Sequence, residues 1–338
     1  MIPTNLPNEM EPVIQEQILP VLAPTIRNLI SKVPSRYLKL LEEIRIRQEK
    51  PLQMYTHAND FFVDSEGLPV QESSKAYRVT EEDVAQTIQL LTRSSLYALE
   101  EELRRGYLTI AGGHRVGLTG KTVLSPDGFV QTLKQFSGLN IRIARQIPGA
   151  ADSIKPYIVN PLTQRLCSSL IISPPQCGKT TLLRDLARQI SDGILHPKLR
   201  GLKVGIVDER SELAGSVNGV AQHAIGCRTD VLDGCPKAEG MLMMIRSMSP
   251  DVLITDEVGR EEDRDAIREA VHAGVTVIAS AHGVSLQEVC QRPALQALFD
   301  TRSFERYIVL SRRAGPITLE TVHDNQGNCL YERKGRLA

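Results

Sequence analysis

The stretch Leu170–Arg188, LIISPPQCGKTTLLRDLAR, sets an apolar run, two prolines, a Gly-Lys-Thr and a helix-forming segment in that order. Such an order can hold phosphate. Backbone N–H groups at a helix N-terminus face an anion, Lys179 follows Gly178 and can reach the outer phosphate oxygens, and the Thr180 hydroxyl can ligate Mg2+ beside them. The predicted loop comprises Ser173, Pro174, Pro175, Gln176, Cys177, Gly178, Lys179, Thr180 and Thr181. Ser173 stands where loops of this type usually carry a glycine. Pro174 and Pro175, whose rings restrain φ, are expected to shape the turn in its place, with some strain at the serine.

Acidic groups follow other apolar runs. In DVLITDEVG the run ends in Asp256, expected next to the loop strand and able to bind Mg2+ through water, and in Glu257, able to orient an attacking water. KVGIVDERSELAG ends a second run in Asp208 and Glu209, and VTVIASAHG ends a third in His282. Whether Glu257 or Glu209 is the base stays open. A cation, a metal and carboxylates suit phosphoryl transfer, which needs positioning, charge neutralisation and a placed water rather than a covalent nucleophile. No motif reads a base or sugar, so ATP is the inferred nucleotide.

The elements that would position these groups follow from periodicity. From about Gln164, the runs CSSLIIS, KVGIVDE, DVLITDE and VTVIASAH alternate with helical patterns at 179–190, 237–248, 260–272 and 286–298. Strands buried on both faces, with helices between them, predict a predominantly parallel sheet in an α/β layer fold, with ligands at the carboxyl ends of the strands. Residues 1–150 read instead as a smaller α+β domain, ahead of an ATPase domain at 151–338. Its elements are a helix at 35–43, an extended run around EIRIRQEKPLQMYT, a DSEG turn, a helix capped by Thr80 and Asp83 with a Val84, Ile88, Leu91 stripe, and a second helix from about 95 to 104. Antiparallel strands are expected in GYLTIAGGHRVGLTGKTVLSPDGFV and LNIRIARQIPG, and a linker in GAADSIKPYIVNP.

Composition narrows the partners. Forty basic and forty acidic side chains cancel, tryptophan is absent and aromatics are 4%, so no nucleic-acid surface is expected. The six cysteines show no C-x-x-C, which fits a reducing compartment, and His223, Cys227 and Cys235 lack the four-ligand spacing of a structural zinc site. No apolar run is long enough to span a bilayer. The nearest candidate, 13–33, is broken by Pro20 and Pro24 and carries Glu16, Arg27 and Lys32. It reads as a bent helical pair on its own domain, with docking on a membrane partner as the alternative.

With these residues in place, the region from about 150 to 320 resembles the secretion-type ATPases of type II, type IV pilus and type IV secretion systems. VDERSE matches their acidic box, and HAGVTVIASAHGVS their His box. EEIRIRQEKPL, SPPQCGKTTLLRDLAR, VDERSELAG and, most specifically, Cys227–Gly259 resemble the stage III sporulation protein AA family over nearly the whole chain. That resemblance implies a P-loop NTPase (RecA/AAA-like) motor domain with Walker A and Walker B elements. It also implies a homo-oligomer, as a hexameric ring, on the cytoplasmic, mother-cell face of a membrane assembly, with membrane proteins of a sporulation channel as partners. An arginine of the smaller domain would approach the phosphates; Arg142 in NIRIARQ is the best match, then Arg145, with Arg115 also a candidate. Two other functions remain in view: a nucleotide-dependent nucleic-acid-binding protein and a non-hydrolysing nucleotide-binding scaffold.

Overall fold

A computed structural model describes residues 10–56, 59–92 and 100–333. The chain divides into two compact units, Met1–Ala144 and Arg145–Ala338.

The first unit is built on an antiparallel sheet of β1 (Leu41–Arg47), β2 (Gln53–Thr56), β3 (Asp60–Val63), β4 (Pro69–Val70), β5 (Tyr107–Ile110), β6 (His114–Leu124) and β7 (Val130–Arg142). The strand order is β4-β3-β2-β1-β7-β6-β5. Leu41, Ile44 and Ile46 of β1 are fully buried, and the intervening side chains are less so, as a half-buried strand requires. The expected helix at 35–43 stops at Leu38, because Leu41–Glu43 are drawn into the β1 ladder against β2. The Thr80 cap is present: Asp83 N–H donates to Thr80 Oγ1 at 3.1 Å, and Thr80 N–H donates to Asp83 Oδ2 at 2.9 Å. The helix it starts, Glu81–Leu91, buries Val84, Ile88 and Leu91. The second helix covers Glu100–Arg105; the expected residues 95–99 lie outside the described ones. Helical turns over 10–21 and the helix Pro24–Ser31 place Ile14, Ile18, Leu22, Ile26 and Ile30 in this unit's core. The apolar content of 13–33 is therefore spent inside its own unit. No helix among the described residues is long and apolar enough to cross a membrane.

The second unit carries β8 (Ser169–Ser173), β9 (Val204–Asp208), β10 (Thr229–Asp233), β11 (Val252–Thr255), β12 (Thr276–His282), β13 (Arg306–Ser311), β14 (Thr318–Asp324) and β15 (Cys329–Glu332). The order is β10-β9-β11-β12-β8-β13-β14-β15. The sheet is mixed: β10 through β13 in this order pair in parallel, while β14 and β15 join antiparallel. The chain is thus α/β, with parallel pairing confined to part of one of its two sheets.

Helix Lys179–Asp192 covers one face, burying Leu182, Leu183, Leu186 and Ile190 against Ile171, Ile206, Ile254 and Ile278. Each such side chain contributes roughly 1.5–3 kcal/mol of gross burial. Helices Lys237–Met248, Glu261–His272 and Pro293–Asp300 cover the other face. The single helix expected over 286–298 is two, Leu286–Val289 and Pro293–Asp300, since Pro293 has no N–H to continue the first and sits comfortably in the first turn of the second. The expected linker is also corrected: Ala151, Ile154 and Ile158 are fully buried in this unit's core, and Ala151 N–H donates to Asp185 Oδ2 at 2.9 Å.

Candidate functional site

Parallel pairing aligns the carboxyl ends of the strands. His282 at the end of β12 lies opposite Ser173 at the end of β8, and Thr255, just before Asp256, lies opposite Val207, just before Asp208. One expectation is corrected here. The strands beside β8 are β12 and β13, not the Asp256 strand, so His282 of β12 is interposed between the loop and the β11 carboxylates.

The loop leaves β8 without a left-handed residue at Ser173. Positive φ occurs instead at Gln176, at 60°, and at Gly178, at 89°. The turn therefore needs its glycine at 178 and not at 173, and the strain expected at Ser173 is absent. A Cβ on Gly178 would also meet Ile317 Cγ1 at 2.7 Å, so Ile317 packs where only glycine leaves room. Pro174 is half-buried and Pro175 exposed, Cys177 is buried, and Lys179, Thr180 and Thr181 open the helix.

Lys179 is buried and folded back over the loop. Its Nζ donates to Ser173 O at 3.2 Å, Ser173 Oγ at 3.3 Å and Pro174 O at 3.2 Å, and meets His282 Nδ1 at 3.1 Å. An ammonium group has donors only, so Nδ1 accepts and His282 carries its proton on Nε2. That N–H then donates to Glu257 Oε1 at 2.9 Å. Glu257 Oε2 in turn pairs with Arg210 Nη1 at 3.0 Å. A continuous polar line thus runs Lys179, His282, Glu257, Arg210. Burial lowers the Lys179 pKa from its ordinary value, while Glu257, Cys177 and Asp256 act in the opposite direction.

Glu257 has φ of 47°, a region costly for a side chain of its size. Ser280 of β12 holds that backbone: Glu257 N–H donates to Ser280 Oγ at 3.0 Å, and Val258 N–H donates to Ser280 O at 2.8 Å. Asp256 is buried beside it, and its Oδ1 has no hydrogen-bond partner. Burial first, and the charge of Asp208 second, push its pKa up to about 7, with Lys237 pulling the other way. A buried carboxylate oxygen without a donor, in a surplus of negative charge, suits a cation shell. Asp256 offers the oxygen such a cation would take, and Thr180, in the first turn of the helix, is the other residue expected from the sequence; among the described residues, no cluster of three or more His, Cys, Asp or Glu side chains could hold a metal by itself.

The other acidic strand end is committed elsewhere. Asp208 is fully buried and accepts from Glu212 N–H at 2.9 Å, Leu213 N–H at 2.9 Å and Ala214 N–H at 2.8 Å. Burial lifts its pKa to about 6 against those amides. Its geometry is that of a carboxylate folding the next loop. Glu209 pairs with Lys237, a nearly buried ammonium. Burial pushes the Glu209 pKa up, but the Lys237 bond and the charges of Lys237, Arg260 and Arg210 outweigh it and hold the group below its ordinary range.

Three residues absent from the sequence reading shape the site. Arg184 Nε donates to Leu213 O at 2.8 Å and its Nη2 to Glu212 O at 2.8 Å, tying the Asp208 loop to the helix that begins at Lys179. Ser280 and Lys237 hold the two glutamates. Only their place in the fold brings them there, and no local signal marks them. Of the arginine candidates, Arg142 ends β7 of the first unit, exposed, with Glu43 and Arg115 opposite it on the flanking strands. Arg115 stacks on Tyr107, its guanidinium 3.6 Å from the ring centroid. Arg145 opens the second unit, where its carbonyl accepts from Arg184 Nη1 at 3.0 Å.

Among solved structures, the chain is similar to the pilus retraction motor PilT with bound ADP, at 13% identity and a TM-score of 0.53, over 89% of this chain and 82% of that one. It is also similar to the Yersinia pseudotuberculosis ATPase DotB, at 13% identity and a TM-score of 0.52, over 84% and 76%. At that identity the likeness is one of fold. Stage III sporulation protein AA of Bacillus subtilis (strain 168) is 47% identical over 94% of this chain and 98% of its own length. The family model described as "Sporulation stage III, protein AA" matches residues 13–330. The chain belongs to the sporulation stage III protein AA family.

Proposed function

We propose that this chain is an ATP hydrolase whose loop 173–181 is a Walker A phosphate-binding loop and whose Asp256–Glu257 pair is the Walker B element. The observation that carries the reading is the line from Lys179 through His282 to Glu257, beside a buried Asp256 oxygen with no partner. Lys179 neutralises phosphate charge as a point cation beside a helix N-terminus. Glu257 accepts hydrogen bonds from an attacking water and orients it, and His282 keeps the carboxylate aimed through its Nε2–H. Bound at Thr180 and Asp256, Mg2+ would supply further neutralisation of phosphate charge. Glu209, held by Lys237, is the weaker candidate for the base.

The same reading extends to a ring of copies, with 1–150 and 151–338 as its working domains and Arg142 completing a neighbour's site. It places the protein at the cytoplasmic face of a membrane assembly formed during sporulation, where hydrolysis powers or assembles a channel. Family membership and the secretion-ATPase fold support this. The test is Mg2+-dependent ATP turnover by the pure full chain, with mass in solution measured in the same samples. Absence of turnover in an assembled ring removes the enzyme reading, and turnover by a monomer removes the need for a neighbour.

A further inference from the structure

We propose that Arg210 is a positioning residue for Glu257, holding its carboxylate in the plane needed to orient water; the inference rests on the ATP-hydrolase reading. The two oxygens of Glu257 are held from two sides, Oε1 by His282 Nε2 at 2.9 Å and Oε2 by Arg210 Nη1 at 3.0 Å. One contact fixes a carboxylate oxygen; two fix the orientation of the group. Each oxygen still keeps lone-pair capacity for a water.

The backbone that carries Arg210 is anchored on both sides. Before it, Glu209 pairs with Lys237. After it, Ser211 Oγ donates to Asp233 Oδ1 at 2.7 Å, and the amides of Glu212, Leu213 and Ala214 are taken by Asp208. Arg184 then ties Glu212 and Leu213 to the helix that starts at Lys179. The guanidinium is thereby delivered to Glu257 from a loop in fixed relation to the phosphate-binding helix. The partner is held equally firmly, since Glu257 is at φ 47° with its amide on Ser280 Oγ. The Arg210 side chain is 54% exposed, and ion pairs that open to water contribute at most about 1 kcal/mol to folding. Its contribution is therefore to the geometry of Glu257 and not to the stability of the unit.

The test is a double-mutant cycle on the full chain, with ATP hydrolysis followed under single-turnover conditions so that slow variants can be read. Arg210→Ala should lower kcat about tenfold, equivalent to the loss of one modest orienting contact, with KM within about twofold of the parent. Arg210→Lys should recover part of the rate, because a single ammonium can reach Oε2 without the planar fork of arginine. In a Glu257→Gln background, Arg210→Ala should cost nothing further. An unchanged kcat in Arg210→Ala, or the same tenfold loss with Glu257 already replaced, would overturn the proposal while leaving the hydrolase reading intact. A parent chain that binds ATP through Lys179 yet never hydrolyses it would overturn both.

Discussion

Replacing Lys179 with alanine separates the loop's structural part from its chemical one. The Lys179 ammonium touches two carbonyls, one hydroxyl and one imidazole nitrogen. Both carbonyls keep a partner without it: Ser173 O accepts from Gly283 N–H at 3.2 Å, and Pro174 O accepts from Ser173 Oγ at 3.0 Å. The Ser173 hydroxyl keeps its bond to Pro174 O, His282 Nδ1 loses the Lys179 donor on a side chain that is 40% exposed to water, and alanine is a good helix former at the first position after the Gly178 cap. Removing the buried ammonium should therefore change stability without nucleotide by about 1 kcal/mol or less, roughly 2–4 °C of Tm for a unit of this size. The parent should behave differently when nucleotide is added. A ligand at a hundredfold excess over Kd stabilises its host by about 2.7 kcal/mol, which raises Tm by roughly 5–10 °C. Lys179→Ala should lose that rise, because the ammonium that donates into the loop is gone. Thermal melts of parent and variant, with and without magnesium ATP, read both quantities. A variant that collapses without nucleotide would show that Lys179 is part of the fold. A variant that keeps the full nucleotide-induced rise would refute its assignment to phosphate.

Glu257→Gln should cut hydrolysis to a small residual rate that single-turnover kinetics still reads, while nucleotide still binds, whereas Glu209→Gln should lose its Lys237 ion pair and affect loop stability more than rate; equilibrium binding beside the kinetics distinguishes them. Arg142→Ala mixed with Lys179→Ala should regain partial activity in rings shown to exchange subunits, because some interfaces then pair an intact loop with an intact arginine; no regain in such rings would count against action by Arg142 on a neighbour. His114 should make the first unit acid-sensitive. Its Nδ1 accepts from Ala144 N–H at 3.0 Å, its Nε2 meets Gln17 Oε1 at 2.8 Å, and burial lowers its pKa to about 4. Between the unfolded value near 6.5 and about 4, the unfolded chain binds a proton that the folded one refuses. Stability should thus fall with pH across that window, by on the order of 3 kcal/mol in full. Hydrogen exchange along β6 and β7 should show this fall in the parent and a flatter response in His114→Gln; equal pH slopes in both would refute it.

The local chemistry of this chain is written in its sequence because each part depends on residues a few positions apart. Thr80 and Asp83 cap a helix whoever its neighbours are, and β8, β9, β11 and β12 are apolar because both faces of each strand are covered. Gly178-Lys179-Thr180 after an apolar run marks the start of a helix for the same reason, and a helix N-terminus presents the donors that the proposed phosphate site would use. Strand order carries no such local mark. That β12 lies between β8 and β11 is decided by how the crossover helices pack, and this interposition puts His282 between Lys179 and Glu257. The acidic strand ends look equivalent in sequence, yet their environments separate them. Asp208 is consumed by three loop amides and Glu209 by a lysine 28 residues on, whereas Glu257 is oriented by an arginine and a histidine from two other strand ends and keeps lone pairs free. Charge type is a property of the residue. Which charge stays available for a ligand depends on burial and on partners that only the folded chain brings within hydrogen-bond distance.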